Sequence, residues 1–219
     1  MDVTKVAHAC VRITTPQVTL VIDPGSFGPA DATRDADVVL VTHQHADHVV
    51  PEQLVAALDA DPELVVHAPA DVVTLIGGPD ARRRPVRAGE ELAFGDVTVR
   101  AVGEWHAVVH EDLPRPLNHG YVVRSGPHAV YHPGDALTAP GEDVDLLLLP
   151  VSGPWLKLAE VVDFARAVAP RVAVPIHESL ASDLGLGLIG RQLGPDGLGI
   201  APAAYRTWSD GETLALADL

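Results

Sequence analysis

The stretch VLVTHQHADHVV, residues 39–50, decides how this chain is read. An apolar run ends at Thr42, and the next six positions hold His43, His45, Asp47 and His48. Side chains two apart in an extended segment point to the same side, so His43 and His45 can chelate one ion. Asp47 and His48 lie where the chain turns towards Pro51, a residue suited to the first position of a helix, and can face a second ion. Histidine and carboxylate donors without thiolate suit zinc, manganese or iron.

Working outward, the same arrangement recurs. VTVRAVG (97–103) runs into EWH and His106, HAVYHPGD (128–135) finishes at Asp135, and VAVPIH (172–177) finishes at His177. An apolar strand that delivers an ionisable group at its tip combines a rigid support with a loop's reach, which is how sites are built on scaffolds. His110 lies close by in WHAVVH and competes with His106, which follows the apolar run more directly.

Taken in order, THQHADH, HAVVH, YHPGD and PIHE resemble the metal motifs of the metallo-β-lactamase fold superfamily. With GPWLKLAE they resemble most the branch that contains ascorbate-phosphate lactonase and related metal-dependent hydrolases. The similarity to the phospholipase D acting on N-acylated ethanolamine lipids is more distant. The resemblance spans nearly the whole chain and implies an α+β, four-layer αββα sandwich, two mixed β-sheets flanked by helices. It also implies His43, His45 and His106 on one metal, Asp47, His48 and His177 on another, and Asp135 bridging them. Asp47 and Asp135 are then the catalytic carboxylates, with two divalent metal ions, Zn2+ or Mn2+, as cofactors.

Element patterns agree with that architecture. Short strands are expected at 3–7, 10–15, 18–23 and 37–42, with a helix from Pro51, then a strand and helix over 64–77. Strands follow over 91–103, 120–125, 128–132 and 144–151. A helix at 156–169, a strand at 171–176, a helix at 180–193 and a closing strand pair within 204–216 complete the chain. Helices interspersed in both halves suit two packed sheets covered on their outer faces.

Composition narrows the function. The 219 residues suit a single domain, and 47% hydrophobic content provides a sizeable core. Cys10 is the only cysteine, so no intrachain disulfide forms, and it is read as a small core residue. A net charge of −15 repels phosphate backbones, arguing against nucleic acid as a partner and hence against a nuclease. No membrane-length apolar run or signal-peptide pattern stands out, so a cytoplasmic location without membrane association is expected. The basic cluster ARRRPVR (81–87) reads as a solvated turn.

Supporting residues keep two readings each. Asp23 is either a turn former before Pro24 and Gly25 or the acceptor for a ligand histidine's free N–H. His8 is either near the site or buried elsewhere. His119 and His132 could face a pocket, while His67 and His128 read as structural. Trp155 and Lys157 could form a pocket wall and an anion contact, or be a core indole and a solvated helix-start lysine. The expected reaction is hydrolysis of a small ester, lactone or phosphodiester by a water activated between two metals. The lactonase resemblance adds an anionic, sugar-like substrate, and the same fold can also house iron for oxidoreduction.

Overall fold

The computed structural model describes residues 1–201 and 203–219. Two seven-stranded sheets share one arrangement. The first contains β1 (Asp2–Ala7), β2 (Cys10–Thr14), β3 (Thr19–Ile22), β4 (Val38–Leu40), β5 (Val65–Ala68), β6 (Arg83–Pro85) and β14 (Thr213–Ala215), in the order β14-β1-β2-β3-β4-β5-β6. The second contains β7 (Glu91–Phe94), β8 (Val97–Val102), β9 (Gly120–Ser125), β10 (His128–His132), β11 (Leu146–Pro150), β12 (Val172–Ile176) and β13 (Ala204–Tyr205), in the order β13-β12-β11-β10-β9-β8-β7. In each, an antiparallel half meets a parallel half, at β3–β4 and at β10–β11.

The layers follow from side-chain alternation. Leu146 and Leu148 of β11 face the inter-sheet core with Ile13, Leu20, Leu40, Val99 and Val123. Leu147 and Leu149 face outward, onto α3 (Leu158–Val168). That explains the unbroken apolar run: a central parallel strand is buried on both faces. Helix α3 presents Val161, Phe164, Ala165 and Val168 at helical spacing to this sheet, and α4 (Asp183–Leu193) adds Leu193. On the other side α1 (Pro51–Ala60) and α2 (Ala70–Leu75) bring Leu54, Leu58, Val72 and Val73 against Val21, Val39 and Val66. The result is the αββα sandwich expected from the motifs.

Two local expectations change. The segment 204–216 does not pair with itself: β13 extends the second sheet beside β12, while β14 extends the first beside β1. Each piece covers a sheet edge that would otherwise expose unpaired backbone groups. The cluster 81–87 is not merely solvated, because residues 83–85 add the edge strand β6. Arg82 donates from Nη1 to the carbonyls of Leu58 (2.6 Å) and Asp61 (2.8 Å), satisfying the end of α1.

One buried ion pair ties the first strand to the loop that follows β12 and carries His177. Lys5 of β1 is 1% exposed, and its Nζ lies 2.6 Å from Glu178 Oε1. It also donates to the Pro175 carbonyl and sits 5.8 Å from the centre of the Trp208 ring. Removing one partner strands the other charge in a poorly solvated place, which costs more than the pair itself contributes. Lys5→Met should lower the unfolding free energy by about 3–5 kcal/mol in urea titrations. The double variant Lys5→Met/Glu178→Gln should recover a substantial part of that loss; equal instability of the two would refute the stranded-charge explanation.

Candidate metal centre

Loops at one edge of the sandwich bring two groups of ligating side chains together. His43, His45, His106 and Asp135 form one, and His8, Asp47, His48 and His177 the other; within each, four ligand atoms lie within 4.8 Å of one another. Asp135 joins them. Its Oδ2 lies 3.1 Å from His177 Nε2, 3.3 Å from His106 Nε2 and 3.8 Å from His43 Nε2. Its Oδ1 lies 3.2 Å from His48 Nε2. His43, His48, His106, Asp135 and His177 are buried, while His45 and Asp47 are the partly open members at the mouth.

The histidines are oriented from behind. His48 Nδ1–H donates to Asp23 Oδ2 at 2.7 Å, and the same carboxylate accepts the Thr42 backbone N–H and hydroxyl, both at 2.7 Å. His106 donates from Nδ1 to the Ala107 carbonyl and His177 to the Ser152 carbonyl, both at 2.6 Å. A carbonyl only accepts, so these rings carry their proton on Nδ1 and turn an Nε2 lone pair inward. His8 is the reverse case. Its Nδ1 accepts from the Ser179 N–H at 3.3 Å, which leaves Nε2–H to donate to Asp47 Oδ2 at 3.3 Å. It therefore holds Asp47 in place rather than offering a lone pair.

Backbone geometry serves the same end. Only five non-glycine residues among those described adopt positive φ, and His8 (53°), Asp23 (52°) and His177 (59°) are three of them. Histidine and aspartate tolerate this region better than most residues, and such conformations gather at functional sites. Gly25 packs flat beneath the ligand loop; a Cβ there would overlap the Asp47 carbonyl. The second sheet is tied on by Tyr121 Oη–H to the Val41 carbonyl (2.8 Å) and His119 N–H to the Thr42 carbonyl (2.9 Å).

The fit to cations follows from atoms left without partners. His48 Nε2, His106 Nε2, His177 Nε2 and Asp135 Oδ1 are buried and make no hydrogen bond. Buried polar atoms are normally satisfied, and lone pairs pointed at one another repel, so this cage requires positive charge. Nitrogen and oxygen donors at this spacing fit divalent cations. Protons compete for the same place. Burial opposes a charge on His177, yet the Asp135 and Asp47 carboxylates outweigh it and push the imidazole up to about 9. Burial likewise opposes charge on His48, but Asp135 and Asp23 raise it well above the usual histidine range. His43 and His45 move the other way, lowered by burial and by neighbouring histidines. Asp135 and Asp47 are held well below the usual carboxylate range despite burial, by the histidines around them.

All seven residues assigned to metals in the sequence converge here. His106 occupies the cage, while His110 is exposed beside Asp112. Asp23 is the acceptor behind His48. His132 instead donates to the Ala9 carbonyl and His119 to the Gly103 carbonyl, so both brace loops. Lys157 is solvent-exposed beside Glu160. Cys10 is buried, which pushes its thiol pKa up. Three contributors carry little sequence signal: Thr42, Asn118, whose Oδ1 accepts the Asp135 N–H (2.9 Å), and Trp155, whose Nε1–H donates to Asp135 Oδ2 (3.0 Å). Trp155 is thus both a core indole and a support of the bridging carboxylate.

Comparison with known proteins places the chain. The beta-lactamase superfamily domain is matched over residues 2–177. A protein of Mycobacterium tuberculosis is 39% identical over 185 residues, covering 83% of this chain and 86% of its own. A UPF0173 metal-dependent hydrolase of Carboxydothermus hydrogenoformans is 25% identical over 209 residues, covering 84% and 89%. Igni18, a metallo hydrolase from Ignicoccus hospitalis, has the same fold, with a TM-score of 0.72 at 17% identity over 97% of each chain.

Two measurements check the geometry. Asp23→Asn keeps the shape but turns an amide N–H towards His48 Nδ1, forcing the ring proton onto Nε2. Zinc affinity should fall about 10–100-fold with the circular-dichroism spectrum unchanged; wild-type affinity would contradict the orienting role. Because Asp135 and Asp47 favour a proton on His177 and push its pKa up to about 9, a cation competes with that proton for Nε2. Zinc affinity should therefore rise from pH 6 to pH 8, with proton release in weakly buffered titrations, and a flat profile would contradict this competition.

Proposed function

The chain belongs to the beta-lactamase superfamily, and from that premise we propose that it is a metal-dependent hydrolase of small esters, lactones or phosphodiesters. It works with two divalent cations, zinc or manganese. The observation that carries this reading is the cage of inward lone pairs, three imidazole Nε2 atoms around a buried carboxylate whose Oδ1 has no other partner. His43, His45 and His106 would hold one ion, Asp47, His48 and His177 the other, and Asp135 would touch both. Bound ions of this kind supply Lewis acidity and make a nearby water acidic enough to attack at neutral pH.

The chain's own groups then have separable tasks. Asp135 keeps the two clusters in register, with its Oδ2 fixed by the Trp155 N–H. Asp47 is the more open carboxylate, 21% exposed at its side chain against 4% for Asp135. It orients the attacking water and can accept its proton, while His8 fixes its rotamer. The half-open face beside His45 admits substrate, and the buried faces exclude bulk water from the reacting atoms. The strongly acidic chain disfavours nucleic acid as substrate and leaves a small molecule as the partner.

The test is a panel of esters, lactones and phosphodiesters assayed with protein of measured metal content. Zinc- or manganese-loaded protein should turn over at least one class, chelation should abolish the activity, and added metal should restore it. Asp135→Ala should lose bound metal and at least about 100-fold in kcat/KM, the scale of one lost electrostatic stabiliser. A variant with full metal content and full activity would overturn the assignment. Redox-active iron without hydrolysis of any panel member would replace it with oxidoreduction.

A further inference from the structure

An apolar wall stands beside the cage, and nothing in the ligand set calls for it. A cavity of about 520 Å³ opens against His45 and His106; Val108, Val109, Leu113 and Pro114 form its apolar wall, and Gln44, His110, Glu111 and Arg115 add polar groups to its lining. These come from the loop that joins β8 to β9. Ten large hydrophobic residues are exposed on the described surface, and Trp105 (44%), Val108 (57%), Val109 (38%) and Leu113 (55%) place four of them within nine residues. Scattered exposed apolar side chains need no explanation, but Val108, Val109 and Leu113 line one cavity at the rim of a polar site, and such a grouping marks a place where something apolar binds.

The loop is held in shape. Its Ala107 N–H donates to the Asp135 carbonyl at 2.8 Å, and the His106 N–H donates to the Pro116 carbonyl at 3.1 Å. Arg115 Nε–H donates back to the His106 carbonyl, and Pro114 and Pro116 restrict the backbone on either side of it. The wall is thus fastened to the bridging aspartate and to a ligand histidine at its base, with its apolar side chains outward. A pocket wall held in place by its own hydrogen bonds gives up little entropy when a ligand enters.

We propose that this pocket selects the substrate by its apolar body: an alkyl or aryl group lies against Val108, Val109 and Leu113 while the bond to be cleaved reaches the two clusters. The proposal rests on the hydrolase reading for the cleaved bond but on the loop alone for the pocket. A soluble acyl ester is the form that fits. The chain's net charge of −15 disfavours the anionic surfaces of most membranes, so a lipid still in a bilayer is the poorer source of that alkyl group.

Two arms test it on zinc-loaded protein. In the first, kcat/KM is measured for 4-nitrophenyl acetate, butyrate and hexanoate. It should rise up to about fourfold for each added methylene, the value of full burial. Val108→Asn/Leu113→Asn alters only exposed side chains, so folding is expected to survive, and it should cut the hexanoate-to-acetate ratio at least about fivefold. In the second arm, calorimetry follows binding of acetate, butyrate and hexanoate, whose affinity should climb with chain length in wild type and much less in the variant.

The arms separate the two readings. Hydrolysis of all three esters at equal efficiency, with equal carboxylate affinities, overturns the pocket and leaves the hydrolase. Tighter binding of longer carboxylates with no ester turned over sustains the pocket and overturns the hydrolase. With a polar sugar lactone and phospholipid vesicles added to the first arm, preference for the lactone over every acyl ester, or activity confined to the vesicles, overturns the proposal.

Discussion

The carboxylate of Asp135 is the point on which the site depends. It is buried between two histidine clusters, with one oxygen towards His106 and His177 and the other towards His48. An isolated buried carboxylate is too costly to keep ionised, so its surroundings must supply positive charge or protons. Here the surrounding nitrogens are arranged to pass that demand to a cation. Their distal protons are engaged by Asp23 and by the Ala107 and Ser152 carbonyls, so the inward nitrogens are left bare.

Such a cage strains the protein around it, and the sandwich compensates. The ligand-bearing loops leave the ends of β4, β10 and β12, buried at nearly every position, and of β8, whose last two residues are buried. Left-handed backbone at His8, Asp23 and His177 is tolerated because each lies one residue past a strand that packing holds fixed. Links across the sheets at Tyr121 and at Lys5–Glu178 join the two sheets that carry the halves of the cage. Stability and site geometry therefore share the same contacts.

Much of this was legible in the sequence, for physical reasons. A buried strand must be apolar and a site must be polar, so the change from one to the other at Thr42, Val102 and Ile176 marks the ligands. The β11 run also announced itself, because burial on both faces removes alternation. Asp23 and His8 stayed ambiguous since a turn residue and a supporting residue have the same composition; only the contacts with His48 and Asp47 separate them. Trp155 stands out in the sequence as a wall or core indole, but its support of Asp135 does not, because that bond spans 20 residues. The pairing of residues 204–216 departs from the expected strand pair for a related reason. A short hairpin-like pattern says nothing of two distant open edges that need covering.

The central claim is that two cations occupy two adjacent cages joined by Asp135. Anomalous X-ray scattering at the zinc edge, from crystals grown with zinc, tests this most directly. The account predicts two strong peaks, one among His43, His45, His106 and Asp135 and the other among Asp47, His48, His177 and Asp135. No peak at these positions, or a single ion ligated by His8 through Nε2, would contradict it.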